Sequence, residues 1–600
     1  MDRRQFLAFS GGTAAGVLAL PGRAFAQASA DAEARTTFQT IFLEQVADAP
    51  ELATSLGLDR GEMEQLRFQL APRTAAARAE DLARTRRHLA ALAALDRARL
   101  SPMNQLNLDV VRYQLEQQTV APATFGLDSV VRPYRLFQQG GAYFSVPDFL
   151  SSTHTIQTVR DAEAYLARLD AFATVLDQDT AEQQAQAARG FVAPAWSIDL
   201  TLAQLGKLRA PAAAESQMVA SLVERAAKAG LAGDWGGRAA RIVAGRIYPA
   251  LDRQMAALQG LRATTPAGDG AWRLPQGDAI YAAALQQMTT TRMSPDEVHR
   301  LGLEQVAEIT AELDAILRAQ GLSRGGVGAR LAELNRRPDQ LYANTAQGRE
   351  ALLASLNADV ARMSAALPNH FATLPTQPLE IRRVPVEIED GASNGYYRRA
   401  ALDGSRPAIY FINLKDTADW PKYTLPALSY HEGVPGHHLQ ISLAQESTEI
   451  PMLRKIGGFS AYSEGWALYA ESIADEAKVY RTPLERAGFL QSYLFRAARL
   501  VVDTGLHDKR WSRERATDYM VETTGFARPR TQREIERYCT QIGQACSYKV
   551  GHGVWSRLRR EAEAAQGAAF DVRRFHEVLK EGAMPLTILE ARVRARMAAG

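Results

Sequence analysis

The segment "LSYHEGVPGHHLQ", residues 428–440, carries three histidines and one glutamate within eight positions, although the whole chain has only ten histidines. Its apolar positions suit a buried helix that would carry His431. Pro435 cannot donate to the carbonyl of His431 and its ring clashes there, while Gly436 tolerates unusual dihedral angles. The segment therefore predicts a helical protein with a bulge or break between its histidines.

The size of this distortion decides which imidazoles can meet. On a straight helix, at about 100° per residue, His438 lies roughly 20° from His431 and His437 lies roughly 120° away. A widening by two residues would instead bring His437 to the place of the second histidine in the common H-E-x-x-H metal motif, where this chain has Pro435. The residues alone leave both His437 and His438 open as the partner of His431.

The residue types in this segment suit zinc. Neutral imidazoles and a carboxylate are ligands that Zn²⁺ takes in a tetrahedral shell with one position left for water. Glu432, next to His431, is placed to take a proton from such a water as it attacks a carbonyl. A third ligand is expected from "IGGFSAYSEGWALYAESIADE", residues 456–476, where Glu464 and Glu471 lie seven apart on one helix face.

Most of the chain after residue 26 has the composition of α-helices. Alanine, leucine, arginine, glutamate and glutamine dominate, and apolar residues recur at three- and four-residue intervals. One helix start is clearly marked, with Ser294 as N-cap, Pro295 in the first turn and Glu297 closing a capping box. The sequence therefore predicts a mainly α fold.

Two segments interrupt the helical pattern. Residues 264–278 are rich in glycine and proline and predict a linker or loop between an N-terminal helical lobe, 27–263, and a second lobe, 279–600, that carries the histidines. Residues 379–414 contain the alternating "LEIRRVPVEI" and the β-favouring "AIYFINL", which predict a small sheet. We expect "AIYFINL" to be an edge strand that pairs with a bound peptide, with Asn413 in contact with that peptide.

The first 26 residues are typical of an export signal. A twin arginine at 3–4 precedes a short apolar stretch and the small-x-small pattern "AFA", which predicts twin-arginine export to the periplasm. The leader carries three arginines and one aspartate, so removing its +2 reduces the formal charge of +3 to +1. This balance gives no support for nucleic-acid binding. No later stretch has eighteen uncharged apolar residues, so stable membrane association is not expected.

The chain has two cysteines, Cys539 and Cys546. On one continuous helix seven residues span about 10.5 Å, which exceeds the roughly 7 Å limit for a disulfide. Two unpaired thiols are therefore expected, unless a turn at Gly543 brings them together.

Four stretches resemble, in this order, a large bacterial family catalogued as domain of unknown function 885: "HEGVPGHHLQ", "AYSEGWALYAE", "ARLVVDTGLHDKRWSRERA" and "QACSYKVG". The resemblance covers nearly all of the chain after the leader. That family is similar to the helical zinc peptidases related to Taq-type carboxypeptidase, thimet oligopeptidase and angiotensin-converting enzyme. The resemblance implies two helical lobes around a deep cleft, with the small sheet next to the active-site helix, and substrates limited to short peptides.

Carried over by position, the resemblance implies zinc on His431, His437 and Glu464, with Glu432 as the general base. Tyr548 is the expected donor to the oxyanion, since helical zinc peptidases place a late tyrosine there. The implied activity is hydrolysis of short peptides by a metal-activated water.

Further polar residues are expected around this centre. Asp503 and His507, four apart on a helix, predict either a carboxylate that orients a ligand imidazole, with His507 bonding substrate, or a local pair within the helix. Arg537 and Lys549 are candidates to bind a substrate carboxylate, the arginine in a bidentate way.

Two other functions use the same residues. The site would equally serve a zinc hydrolase of non-peptide amides or esters. A non-catalytic periplasmic binding protein could instead keep zinc for structure, but structural zinc sites tend to fill all four positions with protein ligands, and only three are evident here.

Overall fold

The computed structural model describes residues 22–386, 389, 395–401, 404 and 406–598. This part of the chain is mainly helical with one small sheet, which confirms the fold class predicted from the spacing of apolar residues. Of the export signal predicted at 1–26, residues 1–21 lie outside the described part of the chain. The first helix begins at Gly22.

The N-terminal helices build two apolar cores. One core joins the first four helices and Leu453 from the C-terminal part, and the other joins the helices from the fifth to the eleventh. The helices are α1 (Gly22–Ala47), α2 (Pro50–Ser55), α3 (Ala75–Ala93), α4 (Pro102–Val120), α5 (Ala142–Ser152), α6 (Val159–Ala188), α7 (Ala195–Arg209), α8 (Gln217–Lys228), α9 (Trp235–Ile242), α10 (Tyr248–Thr264) and α11 (Gly277–Thr289).

The C-terminal helices surround the largest core. They are α12 (Pro295–Ala319), α13 (Val327–Leu334), α14 (Ala346–Ala366), α15 (Leu425–Glu432), α16 (His437–Glu446), α17 (Met452–Ile456), α18 (Ser460–Glu476), α19 (Pro483–His507), α20 (Arg513–Thr524), α21 (Arg528–Thr540), α22 (Ser547–Gln566), α23 (Val572–His576) and α24 (Leu586–Ala598). Leu106 and Val110 of α4 also belong to this core, so the two parts of the chain share apolar contacts.

Helices α18 and α22 approach each other closely in the middle of this core. Trp466 of α18 and Trp555 of α22 are fully buried and meet edge to face, with ring centroids 5.0 Å apart. A Cβ atom on Gly465 would lie 2.4 Å from the backbone carbonyl carbon of Gly551, so only glycine lets the two backbones meet. This contact fixes α18 and α22 as one packing unit.

The predicted start of α12 is confirmed. Ser294 Oγ accepts a hydrogen bond from the N–H of Glu297, and the carboxylate of Glu297 accepts one from the N–H of Ser294. Pro295 occupies the first turn, where its missing N–H leaves no helical bond unmade.

The sheet predicted within 379–414 is present, but its strand order differs from the expectation. It contains β1 (Leu379–Arg383), β2 (Gly395–Arg398) and β3 (Ala408–Ile412) in the order β1-β3-β2. The strand β3 pairs parallel with β1 and antiparallel with β2, and all its residues are buried. The prediction that "AIYFINL" forms an edge strand is therefore wrong, because a continuous apolar run is typical of a central, covered strand.

The glycine- and proline-rich segment 264–278 is a packed loop. Ala271 donates its N–H to Nδ1 of His507 at 2.9 Å, and a Cβ on Gly270 would lie 2.0 Å from the carbonyl oxygen of Leu506. The segment thus lies directly against the end of α19. The division of the chain into lobes of 27–263 and 279–600 stays a prediction.

Cys539 and Cys546 are both buried and unpaired, as expected. Burial raises the pKa of both thiols, so they are poorly reactive. A separate observation concerns membranes: among the described helices none combines the length and apolar character that crossing a bilayer requires.

Candidate metal centre

The helix that carries His431 ends one residue after it. Gly433, with φ −91° and ψ −123°, terminates α15, and a turn with a cis peptide bond between Val434 and Pro435 follows. Helix α16 then begins at His437. The Pro-Gly sequence therefore produces a complete break between two helices, with two more residues between the histidines than an H-E-x-x-H helix has.

Gly436 and Trp466 hold this turn in place. A Cβ on Gly436 would lie 1.9 Å from the carbonyl oxygen of His431, so only glycine allows the chain to pass there. The carbonyl of Pro435 accepts a hydrogen bond of 2.9 Å from the indole N–H of Trp466 on α18. Because Glu464 lies two residues before Trp466, the helix that supports the turn also supplies the acidic group of the site.

Side chains from α15, α16 and α18 converge at this point. Nε2 of His431 lies 3.5 Å from Oε2 of Glu464, and Nε2 of His437 lies 3.3 Å from the same oxygen. The imidazole rings are nearly perpendicular, at 86°, with centroids 4.9 Å apart. One ligand atom from each of the three residues lies within 4.8 Å of the other two. The structure thus brings together the three residues that the resemblance implies as ligands.

The spacing and chemistry of these three groups fit a zinc ion. Ligand atoms about 2.0–2.1 Å from zinc at tetrahedral angles lie about 3.3–3.4 Å from one another. The two separations between imidazole nitrogen and carboxylate oxygen are 3.3 and 3.5 Å. Two imidazoles and one carboxylate occupy three positions of a tetrahedron and leave the fourth for water or substrate.

Glu471, one of the two acids on this face of α18, orients the ring of His431. Its Oε1 lies 2.9 Å from Nδ1 of His431, and its side chain is fully buried. A proton on Nδ1 leaves the lone pair of Nε2 facing Glu464, which is the tautomer that a metal ligand needs. The seven-residue spacing of Glu464 and Glu471 on one helix face was the available sequence signal.

The charges of the site stabilise one another. Burial alone would lower the pKa of His431, but its hydrogen bonds to Glu464 and Glu471 outweigh burial and raise that pKa to about 9. Burial alone would raise the pKa of Glu464, but the charge of His437 and the hydrogen bonds from both imidazoles hold it well below its usual value. Since a cation must displace the imidazole protons, its binding weakens as the pH falls.

Glu432 is the last residue of α15 and lies in the interior. Its side chain is buried, and Oε2 has no hydrogen-bond partner within the described part of the chain. A buried carboxylate oxygen without a donor is costly, and such groups call for an explanation. A free carboxylate oxygen next to a metal ligand is what proton transfer from a water molecule requires.

His438 is turned away from Glu464. Its Nε2 donates to the carbonyl oxygen of Gln377 at 3.0 Å, and its Nδ1 lies 3.3 Å from the hydroxyl of Tyr397 and 3.4 Å from that of Ser442. Burial lowers the pKa of His438 to about 4. His438 is thus a neutral ring that connects α16 to β2 and to the segment before β1, and His437 is the histidine that faces Glu464.

Tyr548 lies half-buried at the start of α22. The guanidinium of Arg499 lies 4.5 Å from the centre of its ring, and its hydroxyl lies 3.5 Å from Nε2 of Gln544. Burial raises the pKa of Tyr548 and the charge of Glu464 raises it further, although Arg499 and Arg537 oppose this. The phenol therefore stays protonated at neutral pH and can donate a hydrogen bond.

Asp503 does not contact a ligand imidazole. Its Oδ1 accepts a hydrogen bond of 2.9 Å from the hydroxyl of Tyr281 and one of 3.5 Å from the thiol of Cys546. Burial raises its pKa to about 7, although both donors oppose the shift. The role that the sequence analysis offered to Asp503, to orient an imidazole, is filled at His431 by Glu471.

His507 is also satisfied within the core. Its Nδ1 accepts from the N–H of Ala271 at 2.9 Å, and its Nε2 donates to the carbonyl of Tyr538 at 3.1 Å. Burial lowers its pKa to about 4. His507 therefore joins α19 to α21 and to the packed loop, with both ring nitrogens occupied.

The two candidates for binding a substrate carboxylate differ. Arg537 is engaged by the protein, since Nη2 donates to Glu534 at 2.9 Å and Nη1 donates to Gln544 at 2.7 Å. Lys549 is buried with its ammonium 4.0 Å from the centre of the Tyr493 ring, and burial lowers its pKa to about 7. Arg537 is therefore occupied within the protein, and burial of Lys549 disfavours its charged form.

Asn413 forms hydrogen bonds with backbone groups beside the sheet. Its Nδ2 donates to the carbonyl of Glu389 at 2.7 Å, and its Oδ1 accepts from the N–H of Lys415 at 3.1 Å. Both bonds hold the chain where it leaves β3. The structure therefore gives Asn413 a local structural contact in place of the expected contact with a peptide.

The sequence matches the family model described as "Bacterial protein of unknown function (DUF885)" over residues 50–593. The crystal structure of the "putative lipoprotein" from Colwellia psychrerythraea is 32% identical, with a TM-score of 0.88 over 96% of this chain and 100% of that chain. A "putative lipoprotein of unknown function" from Shewanella oneidensis is 16% identical, with a TM-score of 0.72 over 92% of this chain and 98% of that one, a likeness in fold alone. Among curated proteins none matches this chain.

Proposed function

This chain belongs to the DUF885 family of bacterial proteins of unknown function, and we propose that it is a zinc-dependent peptidase. The observation that carries this proposal is that ligand atoms of His431, His437 and Glu464 lie within 4.8 Å of one another. The two histidines come from α15 and α16, and Glu464 comes from α18, which also supports the break between those two helices. The substrates we propose are short peptides, held in a deep cleft between two helical lobes.

The three converging residues would hold the ion, and Glu471 would keep the ring of His431 in the correct tautomer. When bound, zinc supplies a Lewis acid that polarises a substrate carbonyl and makes a water molecule more acidic. The remaining chemistry belongs to the side chains. Glu432 accepts the proton of the attacking water and returns it to the leaving amine, and the phenol of Tyr548 donates a hydrogen bond to the oxyanion.

Export is part of the same proposal. The two solved structures that this chain resembles are each described as a lipoprotein, a class of exported proteins. Together with the twin arginine at positions 3–4, this supports a periplasmic location reached by the twin-arginine route.

Two alternative functions differ from the proposal in measurable ways. A hydrolase of non-peptide amides or esters would use the same groups, and it would prefer small amide or ester substrates to peptides. A zinc-containing binding protein would have no use for the unpaired buried oxygen of Glu432, and would need a fourth protein ligand to close a structural site.

The replacement Glu432→Gln tests the proposal. Zinc per chain is measured by mass spectrometry of the metal, and turnover is measured on a mixed tetrapeptide library alongside small amides and esters. We expect one zinc per chain in both proteins and a loss of kcat of about 10²- to 10⁴-fold in the variant, because proton transfer is lost while the ligands stay.

Glu449→Gln is the matched control, since it makes the same change at an exposed position nearby and should leave turnover unchanged. Zinc-loaded protein that cleaves no peptide, or a Glu432→Gln variant as active as the parent, would refute the peptidase assignment. Cleavage confined to the small amides or esters would select the first alternative.

A further inference from the structure

Four arginines lie close together on α19 and α21, beside Tyr548. They form the arginine group: Arg496, Arg499, Arg530 and Arg537. Within the described residues, the only ion pairs of this group are those that Arg499 and Arg537 make with one carboxylate oxygen of Glu534. Two of the four positive charges thus share one carboxylate oxygen, and the other two form no ion pair with the described residues.

Arg499 and Arg537 are the two arginines that form ion pairs with the carboxylate of Glu534. Oε2 of Glu534 accepts hydrogen bonds of 2.9 Å from each of them and one of 2.7 Å from the hydroxyl of Tyr538. The guanidinium of Arg499 also lies 4.6 Å from the centre of the Phe495 ring. These contacts make Arg499 and Arg537 the fixed half of the group.

Arg496 and Arg530 are the open half. Arg496 donates from Nη1 to the hydroxyl of Ser492 at 2.6 Å, and Arg530 donates from Nη1 to the carbonyl of Asp419 at 3.3 Å. In the described part of the chain, neither residue forms an ion pair, and Nη2 of each makes no hydrogen bond. Both side chains are partly buried, and the guanidinium of Arg530 also lies 4.1 Å from the centre of the Phe526 ring.

The group also contains buried donors without acceptors. Nε of Arg496, Nη1 of Arg499 and Nε of Arg530 are all buried and lack a partner among the described residues. Burial lowers the pKa of Arg530, and repulsion from Arg496 and Arg499 lowers it further, although Asp419 and Glu534 oppose both. Buried like charges with unmet donors are costly, which indicates that an anion from outside completes the group.

The arginine group lies next to the candidate metal centre. Arg499 stacks on the ring of Tyr548, whose pKa responds to the charge of Glu464. Arg496 lies three residues before Arg499 on α19, which places both on one side of that helix. An anion held by Arg496 would therefore lie on the side of α19 that meets Tyr548, the proposed oxyanion donor.

We propose that the arginine group binds a carboxylate of the substrate through Arg496 and Arg530. This inference rests on the proposed peptidase function and narrows its substrate class. Guanidinium groups form paired, charge-assisted hydrogen bonds with a carboxylate, and the free donors here match that acceptor. The α-carboxylate of a peptide's last residue and the side-chain carboxylate of aspartate or glutamate share this chemistry.

Three matched peptide sets distinguish these sources. The first is a mixed tetrapeptide library without Asp or Glu and with free C termini, the second is the same library amidated, and the third is amidated with glutamate at one position. We expect kcat/KM for the first or third set to exceed that for the second by about 10- to 100-fold, because charge-assisted bonds are lost in the second. The set that is preferred identifies the carboxylate.

The replacement Arg496→Gln tests the residue. It should raise KM for the preferred carboxylate peptides by about 10- to 100-fold with little change in kcat, and change the amidated, acid-free set less than about twofold. Arg300→Gln, at an exposed position on α12, removes the same charge and should change neither. Arg530→Gln provides the same test if Arg496→Gln does not fold.

The outcomes separate this inference from the proposed function. Equal cleavage of all three sets, or equal effects of Arg496→Gln on each, overturns the carboxylate site and leaves the peptidase in place. If no set is cleaved, the peptidase is overturned, and calorimetry of all three sets with the protein decides the carboxylate site alone. Equal affinity for all three sets overturns it.

Discussion

Two buried histidine-and-acid arrangements lie within the same group of helices and differ in what their polar atoms do. The metal cluster consists of His431, His437 and Glu464, and Nε2 of each histidine points at the same carboxylate oxygen of Glu464. In the core pair, Asp503 and His507, both ring nitrogens of the histidine bond to backbone groups and the acid bonds to a tyrosine and a cysteine. Sequence spacing does not separate the two.

The difference shows what marks a reactive site. Buried polar groups are normally paired, and the core pair follows this rule at His507. The metal cluster instead has several lone pairs directed at one point and an unpaired carboxylate oxygen on Glu432. Because Oδ2 of Asp503 in the core pair is also buried without a partner among the described residues, one unmet oxygen does not mark a site. The convergence of several groups on one point distinguishes a binding site from a packed core. The following predictions test this distinction in order of decreasing effect.

The largest effect is expected at the metal cluster itself. His437→Ala should lower zinc affinity on the order of 10³-fold, because one of only three protein ligands is lost. Its neighbour provides the control: His438→Ala should keep full zinc and lower the free energy of unfolding by about 1–3 kcal/mol through its lost buried bond to Gln377. Competition with a fluorescent chelator and denaturant titration measure the two quantities. Zinc loss in the His438 variant alone would reverse the assignment.

A smaller effect is expected at Glu471. Glu471→Gln keeps the shape of the side chain but weakens its hold on Nδ1 of His431, so zinc affinity should fall about 10- to 100-fold. The same chelator competition measures this, and Glu476→Gln, five residues further on α18, is the control. An unchanged affinity would show that Glu471 serves packing alone, like the core pair.

The smallest effect on turnover is expected at the core pair. Asp503→Asn should change kcat/KM for peptides less than about threefold, since Asp503 does not contact the metal cluster. Its effect should instead appear in the pH dependence of stability. Burial raises the pKa of Asp503 to about 7, so its contribution to stability is present below about pH 4 and is lost as the pH rises through 7.

Asparagine cannot ionise, so the variant does not lose this stability as the pH rises. Between pH 4 and 7.5 its free energy of unfolding should rise relative to the parent by about 4 kcal/mol at most. Urea titrations at several pH values measure this difference. A difference that does not vary with pH would show that Asp503 is ionised in the folded protein.

Much of the architecture could be predicted because it depends on local patterns. The helices follow from apolar spacing, α12 from its capping box, and the break at Pro435 from the chemistry of proline. The residues that converge on Glu464 were identified by resemblance as well as by residue type. The resemblance implied His437, but the residues alone did not separate it from His438, because the choice depends on the path of a turn that Gly436 allows.

What could not be predicted depends on contacts between distant segments. The central position of β3 is set by which strands cover it, and its apolar run was compatible with either place. Asn413 and Arg537 were candidates to contact substrate, but each bonds to a group that only the fold brings near. The same is true of Arg496 and Arg530, whose significance lies in the partners they lack and which residue type alone cannot show.

The close approach of Gly465 and Gly551 has a consequence for how such a protein could diversify. The backbones of α18 and α22 touch at these glycines, so the two helices form one closely packed frame. This frame carries Glu464 and Tyr548, and a larger residue at either glycine would push the two helices apart. Arg496 and Arg530 are carried on two other helices, α19 and α21, away from the contact between the two glycines. Under the proposed function, substrate preference could therefore change at these two arginines while the spacing of Glu464 and Tyr548 stays the same.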